Sequence, residues 1–397
     1  MKKSSVSRVS LLLLVLGSVF CATAQDNQYK IVTTAVPFLR ISPDARAGGM
    51  GDVGIATTPD VSSNFWNLAK LPFTKQDNAI GLTYTPWLQA LGLNDVYLAC
   101  ASGYHKIDDL NTISASMRYF SLGNIQFTDN NGNDLNTFSP KEYAFDFGYT
   151  RKLGDHLGLG VSLRYIASKL ANGAIGDQVY KTGTTVAGDI SLFKNASNEN
   201  GEGLSWGIAL SNLGGKIGYT DDALNKDYIP ANMGIGISYT SVPNESSRIS
   251  YSLDINKLLV PAPPVSLNAT LTAADSAAET AYKTQSVVSS WTKSFSGGNQ
   301  FQLLQASAGI EYGYADQFFV RGGYHYEDAS QGGVKYLSVG LGLKYNVIDI
   351  NLSYLIPSGS GITQNPLSST LRFGLAFDLD ASSSSSNTTP SSLADPN

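Results

Sequence analysis

Charge is scarce in this 397-residue sequence: Asp, Glu, Lys and Arg make up 15% of it, against about 25% in soluble globular domains. A chain this poor in charge cannot clothe a water-facing exterior in the usual mixture of signs. Cysteine is limited to two residues, Cys21 and Cys100, which excludes a disulfide framework and any cysteine-based zinc site. The three histidines, His105, His156 and His325, leave few side chains able to act as general bases near neutral pH. Long apolar runs are missing too. Beyond residue 24 none approaches the roughly 18 to 20 residues that a membrane-spanning helix requires, so a helical membrane protein is excluded. The formal charge of -5 disfavours nucleic acid as a partner.

Glycine, at 39 residues, and tyrosine, at 21, are abundant. The opening MKKSSVSR is basic, Leu11 to Phe20 is apolar, and Ala22-Thr23-Ala24 supplies small residues before Gln25. Residues 1–24 therefore read as a secretory signal peptide. Phe20 stands where lipoprotein processing at Cys21 needs a small residue, which argues against a lipid anchor. An exported chain with little charge and much glycine and tyrosine is either a large soluble β protein or an outer-membrane barrel.

Alternation with a period of two separates these readings. Ile113, Ala115, Met117 and Tyr119 share one face, with Thr112, Ser114, Ser116 and Arg118 on the other. The rule repeats at Tyr143 to Tyr149, at Leu157 to Tyr165, at Leu337 to Tyr345 and at Leu371 to Leu379, where Arg372, Gly374, Ala376 and Asp378 form the second face. Such segments centre near residues 82, 99, 116, 146, 162, 189, 207, 236, 252, 308, 322, 340, 352 and 374. The polar face is mostly Gly, Ser and Thr, unlike the Lys- and Glu-rich exterior of a soluble sandwich, and an even number of strands closes an antiparallel barrel. The expected fold is all-β: a 14-stranded antiparallel transmembrane β-barrel over residues 79–379, preceded by an N-terminal plug over 25–78 and followed by a disordered Ser-rich tail over 380–397.

Short and long connections alternate, as in barrels with short periplasmic turns and longer external loops. The longest runs from Lys257 to Gln300, with a helix expected around Ala273 to Tyr282. Its Leu258-Leu259-Val260 stem with the following Pro261, Pro263 and Pro264 is expected to project beyond the membrane, and the apolar Val287, Val288 and Trp291 mark it as a candidate partner-binding loop, the alternative being an ordered lid over the lumen. Tyr84, Trp87, Tyr104, Tyr149, Tyr239, Tyr314 and Tyr354 fall near strand ends, where interfacial girdles place aromatics.

Motifs for chemistry are weak. Gly49-Met50-Gly51-Asp52-Val53-Gly54 fits the dinucleotide-binding string, but Ser42-Pro43-Asp44 precedes it and Thr57-Thr58-Pro59 follows, where a strand and a helix are needed. Asp129 to Asp134 resembles a calcium loop with its glycine fourth rather than sixth, and reads first as a polar loop tip. His325, near Glu327 and Asp328, has no serine in a recognisable nucleophile motif beside it. Neither enzymatic activity nor a cofactor or metal is expected.

One segment carries a family signature. Leu39-Arg40-Ile41-Ser42-Pro43-Asp44-Ala45-Arg46 runs into Gly48, Gly49 and Gly51, and Asn64-Phe65-Trp66-Asn67-Leu68-Ala69 follows, with Leu68 where many members have Pro; Ser211-Asn212-Leu213-Gly214-Gly215 is a further family-like stretch. These residues resemble the PorV family, outer-membrane barrels of the type IX secretion system of Bacteroidota related to FadL-like fatty-acid transporters. The resemblance implies a plug motif comprising Arg46, Gly48, Gly49, Gly51, Asn64, Trp66 and Asn67. It also implies an integral outer-membrane location in contact with lipid. The implied partners are the type IX translocon barrel, cargo proteins with C-terminal signal domains, and a surface attachment complex that includes a signal peptidase. Two other functions compete: a FadL-like channel for hydrophobic solutes, with a pocket lined by Phe38, Phe65 and Trp66, and a lipid-modifying outer-membrane enzyme.

Overall fold

The computed structural model describes residues 32–128, 131–171, 173–175, 178–198, 200–222, 226–264, 272–296, 300–358 and 370–380. The expected leader, the Ser-rich stretch after Asp380 and Asp129 and Asn130 of the polar loop lie outside the described residues.

Fourteen antiparallel strands close into a barrel, each paired with its neighbours in sequence and the last with the first. They are β1 (Asn78–Pro86), β2 (Val96–Lys106), β3 (Asn111–Leu122), β4 (Lys141–Lys152), β5 (Leu157–Lys169), β6 (Gly183–Asn195) and β7 (Gly203–Gly214). The second half comprises β8 (Asn232–Asn244), β9 (Ser247–Leu258), β10 (Leu304–Tyr314), β11 (Phe318–Glu327), β12 (Lys335–Tyr345), β13 (Ile348–Pro357) and β14 (Leu371–Asp378). Every expected strand centre falls inside an observed strand.

The alternation expected from the sequence sets which residues face out. Phe147, Leu163, Val320 and Leu341 are more than half exposed on the outer wall, while Thr112, Ser116, Arg118 and Arg372 are buried inside. Tyr84, Tyr149, Tyr239, Tyr314 and Tyr354 point outward as girdle residues would. Trp87 and Tyr104 do not: Tyr104 is buried with Val61 and Leu71, and Trp87 packs against buried Tyr336 and Leu355. Backbone geometry explains the tight turns at one end, where Ala315, Asp316 and Asn346 adopt left-handed conformations with φ of 56°, 52° and 55°.

At the other end the connections are long, which marks it as external. Three that read as plain loops hold two-stranded hairpins: Ile125–Thr128 with Asp134–Phe138, Gly173–Ile175 with Gln178–Tyr180, and Ile217–Gly218 with Lys226–Asp227. After the short helices α1 (Ala45–Gly48) and α2 (Ser63–Trp66) of the N-terminal segment, the longest connection holds two more, α3 (Ala273–Thr284), capped by Thr272 and Asp275, and α4 (Val287–Lys293).

Residues 32–77 occupy the space enclosed by the strands. They descend from the external end, where the Ala35 N–H donates to the Tyr228 carbonyl at 2.9 Å, to the turn end, where the Asp77 carbonyl accepts from Lys106 N–H at 2.9 Å. Inward glycines make room for them. A Cβ on Gly160 would stand 2.8 Å from Leu68, one on Gly309 2.6 Å from Met50, and one on Gly340 2.9 Å from the Gly49 Cα. The high glycine content is thus spent largely on the inner wall, where a side chain would displace the enclosed segment.

Candidate functional site

Within the enclosed segment, Asp44 starts a four-residue helix, Ala45–Gly48, by accepting from the N–H groups of Arg46 and Ala47 at 2.8 and 3.2 Å, an N-cap. That fixes the direction of Arg46. Its guanidinium donates to both Glu311 oxygens at 2.9 and 2.8 Å and to Asp60 at 2.7 Å. Arg321 donates to the same carboxylate and to Asn351, each at 2.7 Å. Planar, bidentate pairing of this kind is the geometry arginine is built for. Glu311 therefore sits between an arginine of the segment and an arginine of the wall, and the buried charges are mutually compensated.

The rest of the motif is anchored in the same manner. Asp52 accepts from Arg372 at 2.6 Å and from the Tyr336 hydroxyl. Gly51 has φ +70°, and a Cβ there would lie 2.7 Å from the Tyr324 backbone, so the chain passes the wall where only glycine fits. A Cβ on Gly48 would meet Ser353 and Arg372. Asn64 donates to the Val61 carbonyl at 3.1 Å, Trp66 donates to Asp44 at 3.3 Å, and Asn67 joins the Ile55 and Leu192 carbonyls at 3.0 and 2.9 Å. Asp254 of the wall receives the N–H groups of Gly54 and Ile55 at 2.7 and 3.0 Å. Lys70 donates to the Gly54 carbonyl and the Thr57 hydroxyl at 2.8 and 3.0 Å, and burial pushes its ammonium down to about 8.

The Ser211–Gly215 stretch also acts through the wall. Asn212, with φ 57°, donates its N–H to Asp189 at 2.7 Å and its amide to the Pro230 carbonyl at 3.0 Å. Arg164 bonds Asn212 and pairs with Asp146 and, at 2.8 Å, with Asp189, where the register of β6 against β7 shifts.

Toward the external end the interior turns apolar. Phe38 is fully buried and stacks on Phe120 at 6.5 Å between ring centres, within a cluster that includes Leu39, Val96, Leu98 and Ile166. Phe65 packs against that cluster beneath the Arg118 guanidinium, 5.0 Å from its ring centre. Trp66 lies against Gly54. The three residues expected to line a solute pocket are thus packed against protein. At the turn end a cavity of about 510 Å³ opens, with a mixed lining in which Arg46, Asp60, Arg248, Glu311, Lys344 and Asp349 stand beside apolar Val61, Phe73 and Phe319.

The residues expected to bind partners divide. Leu258, Leu259 and Val260 are 9%, 5% and 4% exposed. Leu258 and Val260 cluster with Val32 and Tyr228 and are flanked by Tyr282. The stem therefore packs onto protein instead of projecting beyond the membrane. Val287 and Trp291 are half-buried and Val288 is exposed. Of the histidines, His105 lies on β2 beside Asn78 and His156 in the turn after β4. His325 faces inward, stacked on Tyr336, and the fold brings it a serine that the sequence spacing concealed: Ser307 Oγ lies 2.9 Å from its Nδ1. Ser307 is buried. Among the described residues no cluster of three metal-ligating side chains occurs.

The family model described as type IX secretion system protein PorV matches residues 23–265, more than half of the chain. The chain belongs to the PorV family. No curated protein matches it in sequence. Among solved structures, this PorV-family barrel is similar to the Ralstonia pickettii toluene transporter TbuX, at 12% identity and a TM-score of 0.47 over 84% of this chain and 95% of that one. A Pseudomonas aeruginosa FadL homologue is similar at 11% identity and a TM-score of 0.45, over 88% of this chain and 99% of the other. The Pseudomonas putida toluene transporter TodX gives 12% identity and 0.45, over 83% and 96%. Family and closed barrel together make the protein an outer-membrane component of secretion.

Proposed function

We propose that this PorV-family barrel binds the type IX translocon and collects cargo bearing a C-terminal signal domain, then delivers it to the surface attachment complex and its signal peptidase. The observation that carries this reading is the family match across residues 23–265. In it residues 32–77 act as a hatch and the external connections supply the partner contacts. The bonded interior supports a carrier over a conduit, since Arg46, Asp52 and Asn67 tie the hatch to the wall and Phe38 fills the space a solute would need. In this reading the role is non-enzymatic, with Ser307 buried and His325 stacked on Tyr336 as parts of the packed interior.

The test is copurification. Affinity-tagged full-length protein, extracted in mild detergent from cells actively secreting cargo, should bring down the translocon barrel together with cargo that still carries its signal domain. Recovery of the barrel alone, under conditions in which the translocon stays intact, contradicts the reading.

A further inference from the structure

Part of the longest external connection lies against the outer wall of the barrel. Asp254 points inward to the backbone of Gly54 and Ile55, and Asn256 shares that face, bonded to Asn232. The period of two then turns Lys257 outward. An outward lysine at the end of a lipid-facing strand should be open, yet Lys257 is 4% exposed and the Phe295 ring centre lies 5.1 Å from its ammonium. That ammonium has no hydrogen-bond acceptor among the described residues. Phe295, two residues beyond α4, therefore stands outside the barrel over β9. Ser290 and Ser294 are buried where the helical segment meets protein, while Val288 and Phe295 are 66% and 49% exposed.

The height of this patch identifies what covers it. Lys257 lies on the same strand as Ser247, and at roughly 3.3 Å per residue and a tilt near 40° the separation is about 25 Å of height, the thickness of a barrel's apolar band. Below it the same wall presents Ile235, Tyr251, Ile255 and Ile310, all exposed. Val288 and Phe295 prolong that lipid-facing surface and end it at headgroup level, the depth at which aromatic and cationic side chains gather.

We infer that α4 with Phe295 is an interfacial anchor whose exposed apolar side chains sit in the outer leaflet, with Lys257 and Lys293 at the level of its anionic headgroups. The occupant is lipid because the patch continues the lipid-facing wall and its nearby charges are positive. The anchor holds the insert that also packs on Tyr228, so the external mouth is fixed relative to the bilayer. This rests on the transmembrane barrel and not on the secretion reading.

Full-length protein with Cys21 and Cys100 replaced by serine would carry a nitroxide at Val288→Cys, at Phe295→Cys or, as a water-facing control, at Asp221→Cys. In phosphatidylethanolamine and phosphatidylglycerol vesicles, oxygen should relax the labels at positions 288 and 295 more than a water-soluble nickel chelate does, with the reverse at 221. Nickel-dominated relaxation at position 288, whose side chain is exposed and tolerant of the label, overturns the inference. The vesicle measurement contains no secretion component, so its outcome is independent of the proposed function.

Discussion

Arg46 and Glu311, 265 residues apart in the chain, meet through two parallel hydrogen bonds of 2.9 and 2.8 Å inside the barrel. This pair, with Arg321 on its far side, joins the enclosed segment to the wall. Both partners are largely buried, and without Arg46 the Glu311 carboxylate keeps Arg321 alone while Asp60 loses its arginine. Arg46→Gln is expected to cost about 3 to 5 kcal/mol, the range for breaking a buried pair. Arg46→Gln with Glu311→Gln should recover part of that loss. Urea unfolding of the refolded barrel in detergent measures both, and equal losses in single and double variants would remove the pair from the account.

Gly51 passes the Tyr324 backbone in a left-handed conformation. Gly51→Val should sharply lower the yield of folded, heat-modifiable barrel, because strain and overlap fall at one point. A wild-type yield would show that the segment can pass the wall by another route.

Replacing Ser307 by Ala and all three histidines by Gln should leave surface display of cargo intact. Changed lipid A acylation in that variant, at normal barrel abundance, would favour the enzyme reading over capture.

Lys70 gives the interior a pH dependence. Its folded value of about 8 lies below the ordinary 10.5 of a lysine. The unfolded chain therefore binds more protons between those values, and stability should rise with pH through about 8 to 10.5. In Lys70→Met that rise should vanish. An unchanged pH slope of the unfolding midpoint in the variant would assign it to another group.

The sequence made the wall legible because a barrel strand with lipid on one side and packed polar groups on the other must alternate. Arg118, Asp146, Arg164 and Arg372 fell on the inward face from spacing alone. Their partners were not legible, since the bonds of Arg46 to Glu311 and of Asp52 to Arg372 depend on where a non-repetitive segment lies against strands hundreds of residues away. Ser307 and His325 escaped for the same reason: their register across β10 and β11 sets the contact. The Leu258-Leu259-Val260 run reads as a projecting stem in one dimension. Only the fold shows that Val32 and Tyr228 cover it, and that Phe295 turns back over the outer wall.

The central claim is tested most directly by the fate of a cargo protein in a strain lacking this chain. Cargo bearing the C-terminal signal domain should fail to reach the surface, collecting uncleaved inside the cell or at the translocon, and the intact gene should restore its display. Normal surface display and signal removal in that strain, with uptake of a hydrophobic solute lost instead, would contradict the account.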